Sequence, residues 1–415
     1  MKPLISLYGY IRLLVIVVHN IYHVFSYIFL NWIVLLPLKL ITPQIYNNIE
    51  NYLYDWCLYT VSSWSWLAGI FVYNIGAELP DARKNGLGGV KNNNTSKPVK
   101  LCLVGNHQCT GDVPLLMYNL THNPEHIMMW VMSAEFKYSN FGPVSVTHED
   151  YFLNQKSFVK GDLVKHCLGL SDQRKNCFIL FPEGGFRYKR LLKNNEFAMK
   201  NNLPLLNRTV WPRYGAFEEL LDERIGITHI VDFTIFYCDQ ENPISIFDIA
   251  KGIRPEPVYI LFKVYEICED LVCDENVNMD SISTILCETN KLTNNIDQHQ
   301  HQQQSNGLSP YQSASFANIS TGTATSSPYV YRIKRSKINI EWLRNLWKEK
   351  ESLMNEFYTD KESFFKTHGQ GRRVDLSISK IFAVHLFYIF MFTIFIYCSH
   401  FLYNLITSQI SSQLS

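Results

Sequence analysis

Two long stretches without charge decide what this chain can fold into. From Leu13 to Leu38, and again from Ile381 to Ile406, there is no Asp, Glu, Lys or Arg, and about 20 largely apolar residues suffice to cross the hydrocarbon core of a bilayer. The first stretch is too long for the apolar region of a secretory signal and lacks a small-residue cleavage site, so it is predicted to be a retained anchor. His19, His23 and Pro37 within it predict a kinked or re-entrant helix. The segment around Trp56, Trp64 and Trp66 follows and reads as an interfacial aromatic belt. Ahead of the second stretch stand Lys366, Arg372, Arg373 and Lys380. Positive flanks tend to stay cytoplasmic, so the protein is expected to be bitopic or multi-pass, with the domain between its anchors facing the cytosol.

The remaining composition excludes several classes. A net charge of +1 over 415 residues, with no basic run interleaved with aromatics, gives no electrostatic case for nucleic acid. The 10 cysteines are scattered, with no C-x-x-C pair and no cysteine–histidine cluster at ligand spacing, so no metal site or disulfide framework is expected. Short apolar runs at Val99–Gly105, Ile127–Met132, Cys177–Phe181, His229–Tyr237 and Val258–Tyr265 alternate with helix-like stretches such as Phe158–Leu170 and Glu196–Leu203. That alternation predicts an α/β fold: a mainly parallel sheet flanked by helices, with an N-terminal anchor region and a C-terminal transmembrane helix.

The expected organisation is an anchor and interfacial segment over 1–76, an α/β domain over 98–275, a disordered Gln/Asn/Ser-rich insertion over 290–328, a continuation of the domain over 329–365, and a spanning helix over 381–406. Within 329–365, Leu343, Leu346, Trp347, Leu353, Met354 and Phe357 fall at helical spacing with Lys348–Glu351 between them. This predicts an amphipathic helix packed on the α/β domain, because its polar face mixes both charge signs.

Chemistry concentrates at two places. The first is Gly105-Asn106-His107-Gln108-Cys109-Thr110-Gly111-Asp112, directly after a predicted buried strand. Side chains at the carboxyl end of a strand in an open α/β sheet face the crevice where ligands bind. A histidine there can take a proton at neutral pH, and a carboxylate five residues on can fix its tautomer and support the imidazolium. The plainer alternative is that Asp112 caps the helix starting at Val113 and His107 is a hydrogen-bonded loop residue. Cys109 lacks an activating base of its own and is not expected to be a nucleophile. The second place is Phe181-Pro182-Glu183-Gly184-Gly185-Phe186-Arg187, also after a short apolar run, with Arg187, Lys189 and Arg190 able to hold a phosphate or simply to form a solvated charge cluster.

Together, His107, Asp112 and Phe181-Pro182-Glu183-Gly184 resemble the first and third blocks of the glycerophospholipid acyltransferase family: His, four residues, Asp, then Phe-Pro-Glu-Gly. Trp130-Val131-Met132, Lys137-Tyr138, Asn140-Phe141-Gly142 and the helix with Trp342 and Lys348–Glu351 are similar to its lysophosphatidylglycerol, lysocardiolipin and lysophosphatidylinositol branch. The resemblance covers most of 99–358 apart from the insertion. It implies an acyl-CoA:lysophospholipid acyltransferase in the endoplasmic reticulum membrane, with His107 as base and Asp112 as its partner, no acyl-enzyme, no metal, and acyl-CoA as a substrate rather than a cofactor. It implies further that Asn106, Glu183, Gly184 and Arg187 line the acceptor site. The family's second block carries a phosphate-binding Arg, whereas Gly142–Asp150 has none, leaving Lys156, Lys160 or Arg187 as substitutes. Trp211-Pro212-Arg213-Tyr214-Gly215 is similar to the fourth block. The missing Arg motivates the alternative of a lipid-binding protein that keeps the fold without turnover.

Overall fold

The computed structural model describes residues 2–82, 98–170, 175–268 and 329–414. The insertion expected over 290–328 lies outside them, as do residues 269–275 of the expected domain.

The chain enters through α1 (Lys2–Phe29), a π-helical turn at Leu30–Val34, α2 (Leu36–Ile41) and α3 (Pro43–Leu67). The kink expected from Pro37 is therefore placed one turn earlier, where the wider π turn breaks the helical ladder before the proline starts α2. Then follow β1 (Val72–Gly76), β2 (Leu101–Gly105), α4 (Asp112–Leu120), β3 (Met128–Ser133), α5 (Gly142–Thr147), β4 (Tyr151–Leu153), α6 (Asp162–Gly169) and β5 (Cys177–Leu180). Next come α7 (Arg187–Lys200), α8 (Gly215–Leu220), β6 (His229–Phe236), α9 (Ile246–Lys251), β7 (Val258–Cys268), β8 (Val330–Lys334), α10 (Ile340–Thr359), α11 (Lys361–His368), β9 (Arg372–Arg373) and α12 (Ile378–Leu414).

The strands form one sheet in the order β4–β3–β5–β2–β6–β7–β1–β9, with β8 on the far half of β7. β2 and β5 are apolar runs and β6 is largely apolar, and all three are buried along their whole length, as strands covered on both faces must be. β3, β5, β2 and β6 run parallel, so their carboxyl ends share one edge. β7 returns antiparallel to β6 over eight aligned pairs, from His229 with Glu266 to Phe236 with Tyr259. Each strand predicted from an apolar run is present; β1, β4, β8 and β9 are short or half-exposed elements for which those runs gave no signal.

Helices cover both faces. α10 starts at Asn339, whose side chain accepts from the Glu341 and Trp342 amides, each at 3.0 Å. Its apolar stripe is buried apart from the partly exposed Leu353, but so are Lys350 and Glu351, which the sequence placed on its polar face. α1 packs along α12, which also leans on α3. Residues Leu7–Val34 and Ile378–Ser411 are long and apolar enough to cross a membrane, and α12 turns Phe382, Leu386, Phe390 and Tyr397 outward. The aromatic belt expected around Trp56, Trp64 and Trp66 is corrected: α3 is a packed helix, with Trp64 in the core and Trp56 edge-on to Phe387 of α12.

Candidate active site

The site is built where β2 stops. At Gly105, opposite Phe233 of β6, a Cβ would lie 2.1 Å from the Phe233 ring, so only glycine fits. The next residue, Asn106, extends the ladder with its side chain: its amide donates to the Ile235 carbonyl at 3.1 Å and accepts from the Ile235 N–H at 2.8 Å. This double bond fixes the direction in which the chain leaves the strand. His107 then turns its ring between Phe181, stacked at 4.2 Å, and Phe186, edge-on at 4.5 Å. Both aromatic rings come from the turn after β5, so the two expected motifs meet at the imidazole.

His107 Nδ1 lies 2.8 Å from Asp112 Oδ2. The same oxygen accepts the Gln108 and Cys109 backbone N–H groups at 2.6 and 3.0 Å, while Oδ1 accepts the Tyr237 hydroxyl. Asp112 is wholly buried, and with four donors it is an acceptor on every side. The imidazole proton therefore sits on Nδ1, and Nε2 keeps its lone pair with no partner among the described residues. The imidazole side chain stays 12% exposed. The capping reading is corrected: α4 starts at Asp112 itself with Gly111 ahead of it and no side-chain cap, and the Asp112 carboxylate is turned back to His107 and to the Gln108 and Cys109 N–H groups.

Three of the residues expected to line the acceptor site hold the framework instead. Asn106 is buried against β6. Glu183 is buried too: its Oε1 accepts the Trp347 indole N–H at 3.1 Å, and its carboxyl faces the His107 and Val210 backbone. Burial pushes its pKa up to about 8, so at neutral pH it is largely protonated, the form a dry pocket favours. Arg187 donates through its backbone to the His107 carbonyl at 2.8 Å, and its guanidinium is taken by the Asn207 carbonyl at 3.0 Å and Glu241 at 2.7 Å. Neither side chain is turned outward, because each has an internal partner at the turn. Gly184 remains half-buried at φ +70°, within a turn closed by its own N–H to Phe181 and by the Arg213 N–H to Pro182. Of the proposed second-block substitutes, Lys160 pairs with Glu218 at 3.2 Å on the surface and Lys156 is exposed.

Tyr237 was missed by sequence reasoning. Its signal was positional: it follows the buried run of β6, whose carboxyl end shares the edge with β2. Lys350 of α10 was missed as well; its ammonium binds Asp232 at 2.6 Å, the Phe233 carbonyl at 2.7 Å and Thr234 at 2.9 Å beneath the site. Glu351 next to it caps the Asn207, Arg208 and Thr209 N–H groups. The Cys109 thiol donates to the Ile244 carbonyl at 3.1 Å, and burial raises its pKa, which leaves it inert as a nucleophile. Among the described residues no cluster of His, Cys, Asp and Glu is arranged to hold a metal.

Such a dyad can lift a proton at Nε2 while a fixed carboxylate steadies the resulting imidazolium. Among the described residues no hydroxyl or active thiol is bonded to Nε2. Fold and site fit an α/β acyltransferase set beside apolar helices. Over 285 residues the chain is 32% identical to human acyl-CoA:lysophosphatidylglycerol acyltransferase 1, covering 62% of this chain and 73% of the human protein. It is 31% identical over 264 residues to the mouse protein of the same name, covering 57% and 67%. No family model matches the chain, and no solved structure matches it. The chain belongs to the glycerophospholipid acyltransferase family.

Proposed function

We propose that the protein transfers a fatty acyl group from acyl-CoA to the free hydroxyl of a lysophospholipid, with lysophosphatidylglycerol as the first acceptor to test, the substrate named for its human and mouse relatives. The observation that carries the reading is the His107 Nδ1–Asp112 pair with Nε2 open. In the proposed reaction Nε2 takes the acceptor hydroxyl proton, the oxygen attacks the thioester carbonyl carbon, the C–S bond breaks, and the proton passes to the departing thiolate. The ester product and free coenzyme A leave, with no covalent enzyme intermediate and no bound metal or further cofactor. The apolar helices support a membrane location; we place it in the endoplasmic reticulum with the sheet on the cytosolic side. The assembled dyad favours turnover over lipid binding alone.

The test is labelled acyl-CoA with a panel of lysophospholipids and the full chain in detergent. The native protein should acylate at least one acceptor, and His107→Ala should lower the rate by roughly 10²- to 10⁴-fold while leaving the thermal unfolding midpoint in place. If no acceptor is acylated, or if His107→Ala keeps the full rate, the proposal is wrong.

A further inference from the structure

The turn after β5 closes on the ring of the base from two sides. Phe181 lies face to face with the His107 imidazole at 4.2 Å and 22°, and Phe186 stands against it at 4.5 Å and 60°. Between these two residues Gly184 and Gly185, at φ +70° and +151°, bend the chain so that both rings reach one imidazole. The Arg187 N–H then donates to the His107 carbonyl at 2.8 Å, pinning the turn to the residue it encloses. Behind Phe181 the Phe233 ring stands edge to face at 5.5 Å and 90°, in the space that Gly105 leaves bare.

Acting as a base makes the imidazole a cation in a pocket where its side chain is only 12% exposed. Aliphatic walls would shield it from water and oppose that charge. Aromatic rings shield it equally but present negative π faces, and a cation within about 6 Å of a ring centroid is attracted to them. Around the ring stand Asp112 on Nδ1, with Cys109 and Tyr237 behind it, the Glu183 carboxyl on the backbone side, and the Lys189 ammonium 5.5 Å over the Phe186 ring. Lys189 already draws on the Phe186 ring, so Phe181 has the greater share. Asp112 balances the charge, and the rings ease its formation.

We propose that Phe181, with Phe186 beside it, is a positioning residue that fixes the imidazole in its slot and stabilises the imidazolium formed when the acceptor hydroxyl gives up its proton. This rests on the acyltransferase reading above, and it gives the first residue of the Phe-Pro-Glu-Gly turn a task on the base rather than on a substrate. A ring acting only by its bulk would be replaceable by any side chain of its shape.

In the full chain Phe181 is replaced by mono-, tri- and pentafluorophenylalanine, which keep the shape of the ring and progressively weaken its negative face. Initial rates in detergent with labelled acyl-CoA and lysophosphatidylglycerol give kcat and KM. Carbethoxylation of His107, followed by mass spectrometry across pH, reports protonation of the imidazole whether or not transfer occurs. Along the series kcat should fall stepwise, by roughly 3- to 30-fold at full fluorination, with KM and the unfolding midpoint little changed. The pH of half-maximal carbethoxylation should move down in the same order. The same series at Phe186 should lose less. An unchanged kcat or an unchanged carbethoxylation profile at a native unfolding midpoint overturns the proposal, as does a rise in KM alone. A native chain that transfers nothing overturns the acyltransferase reading and leaves the carbethoxylation profile to judge the role of the rings.

Discussion

Replacing Asp112 separates the two tasks of the buried carboxylate. In Asp112→Asn the amide oxygen can keep the position of Oδ2, accepting from the Gln108 and Cys109 N–H groups and from His107 Nδ1, while the amide N–H₂ turns to Tyr237, whose hydroxyl rotates to accept. Geometry survives and the negative charge does not. The rate should fall by roughly 10²- to 10⁴-fold, because nothing then balances the imidazolium that forms as the hydroxyl is deprotonated. In Asp112→Ala two N–H groups on residues 1% and 4% exposed lose their acceptor as well. At about 1–3 kcal/mol for each buried donor left unmade, the alanine variant should be less stable than the asparagine variant by about 2–6 kcal/mol. Initial rates with labelled acyl-CoA and thermal unfolding in the same detergent measure both effects. An asparagine variant with native turnover, or an alanine variant as stable as it, would refute the dual role.

Two further outcomes follow from the same geometry. Tyr237→Phe removes the hydroxyl that holds Asp112 Oδ1 and leaves only the distant Cys109 thiol, 3.8 Å away, on that side; the rate should drop about tenfold or more with KM little altered, and a native rate would make Tyr237 a packing residue only. Glu183 is raised from 4.5 to about 8 in the fold, so the folded state binds the extra proton, and its contribution to stability is full below pH 4.5 and lost as pH rises towards 8. Glu183→Gln should therefore gain in unfolding midpoint over native protein as pH rises across that window, by up to roughly 1.4 kcal/mol per pH unit; a constant difference between pH 5 and pH 8 would show that the carboxyl is not buried in its neutral form.

What the sequence disclosed and what it hid divide along a physical line. His107 and Asp112 were legible because five residues separate them along one strand-end loop, where local spacing fixes contact. The buried strands were legible because their apolar runs are too short for a membrane span and alternate with helix-like stretches. Tyr237 was hidden, since its partner Asp112 lies 125 residues away and only the parallel register of β2 and β6 brings them together. Glu183, Arg187 and Asn106 were legible as residues of the site but not in their orientation: a polar side chain beside a turn looks the same in sequence whether it faces solvent or clamps a carbonyl. Lys350 and Glu351 misled for a related reason. Helical periodicity puts charged residues outside, yet these two are drawn inward by Asp232 and by the backbone N–H groups of Asn207–Thr209.

That inward turn explains how a surface reaction can depend on a helix far along the chain. α10 sends Trp347 to Glu183, Lys350 to the middle of β6 and Glu351 to the loop before Arg213, so one rigid element braces three of the segments around His107. On the other side α4, which begins with Asp112, packs on α3, and Tyr118 donates at 2.7 Å to the Val374 carbonyl just ahead of α12. A lysophospholipid whose tail stays in the bilayer can present its hydroxyl only within a narrow range of height above the lipid surface. The helix that positions the carboxylate is the one that packs on α3 and bonds the segment ahead of α12, so a single element links the dyad to the apolar helices. Loosening Tyr118 should therefore disturb acyl transfer to membrane-embedded acceptors more than to soluble short-chain ones.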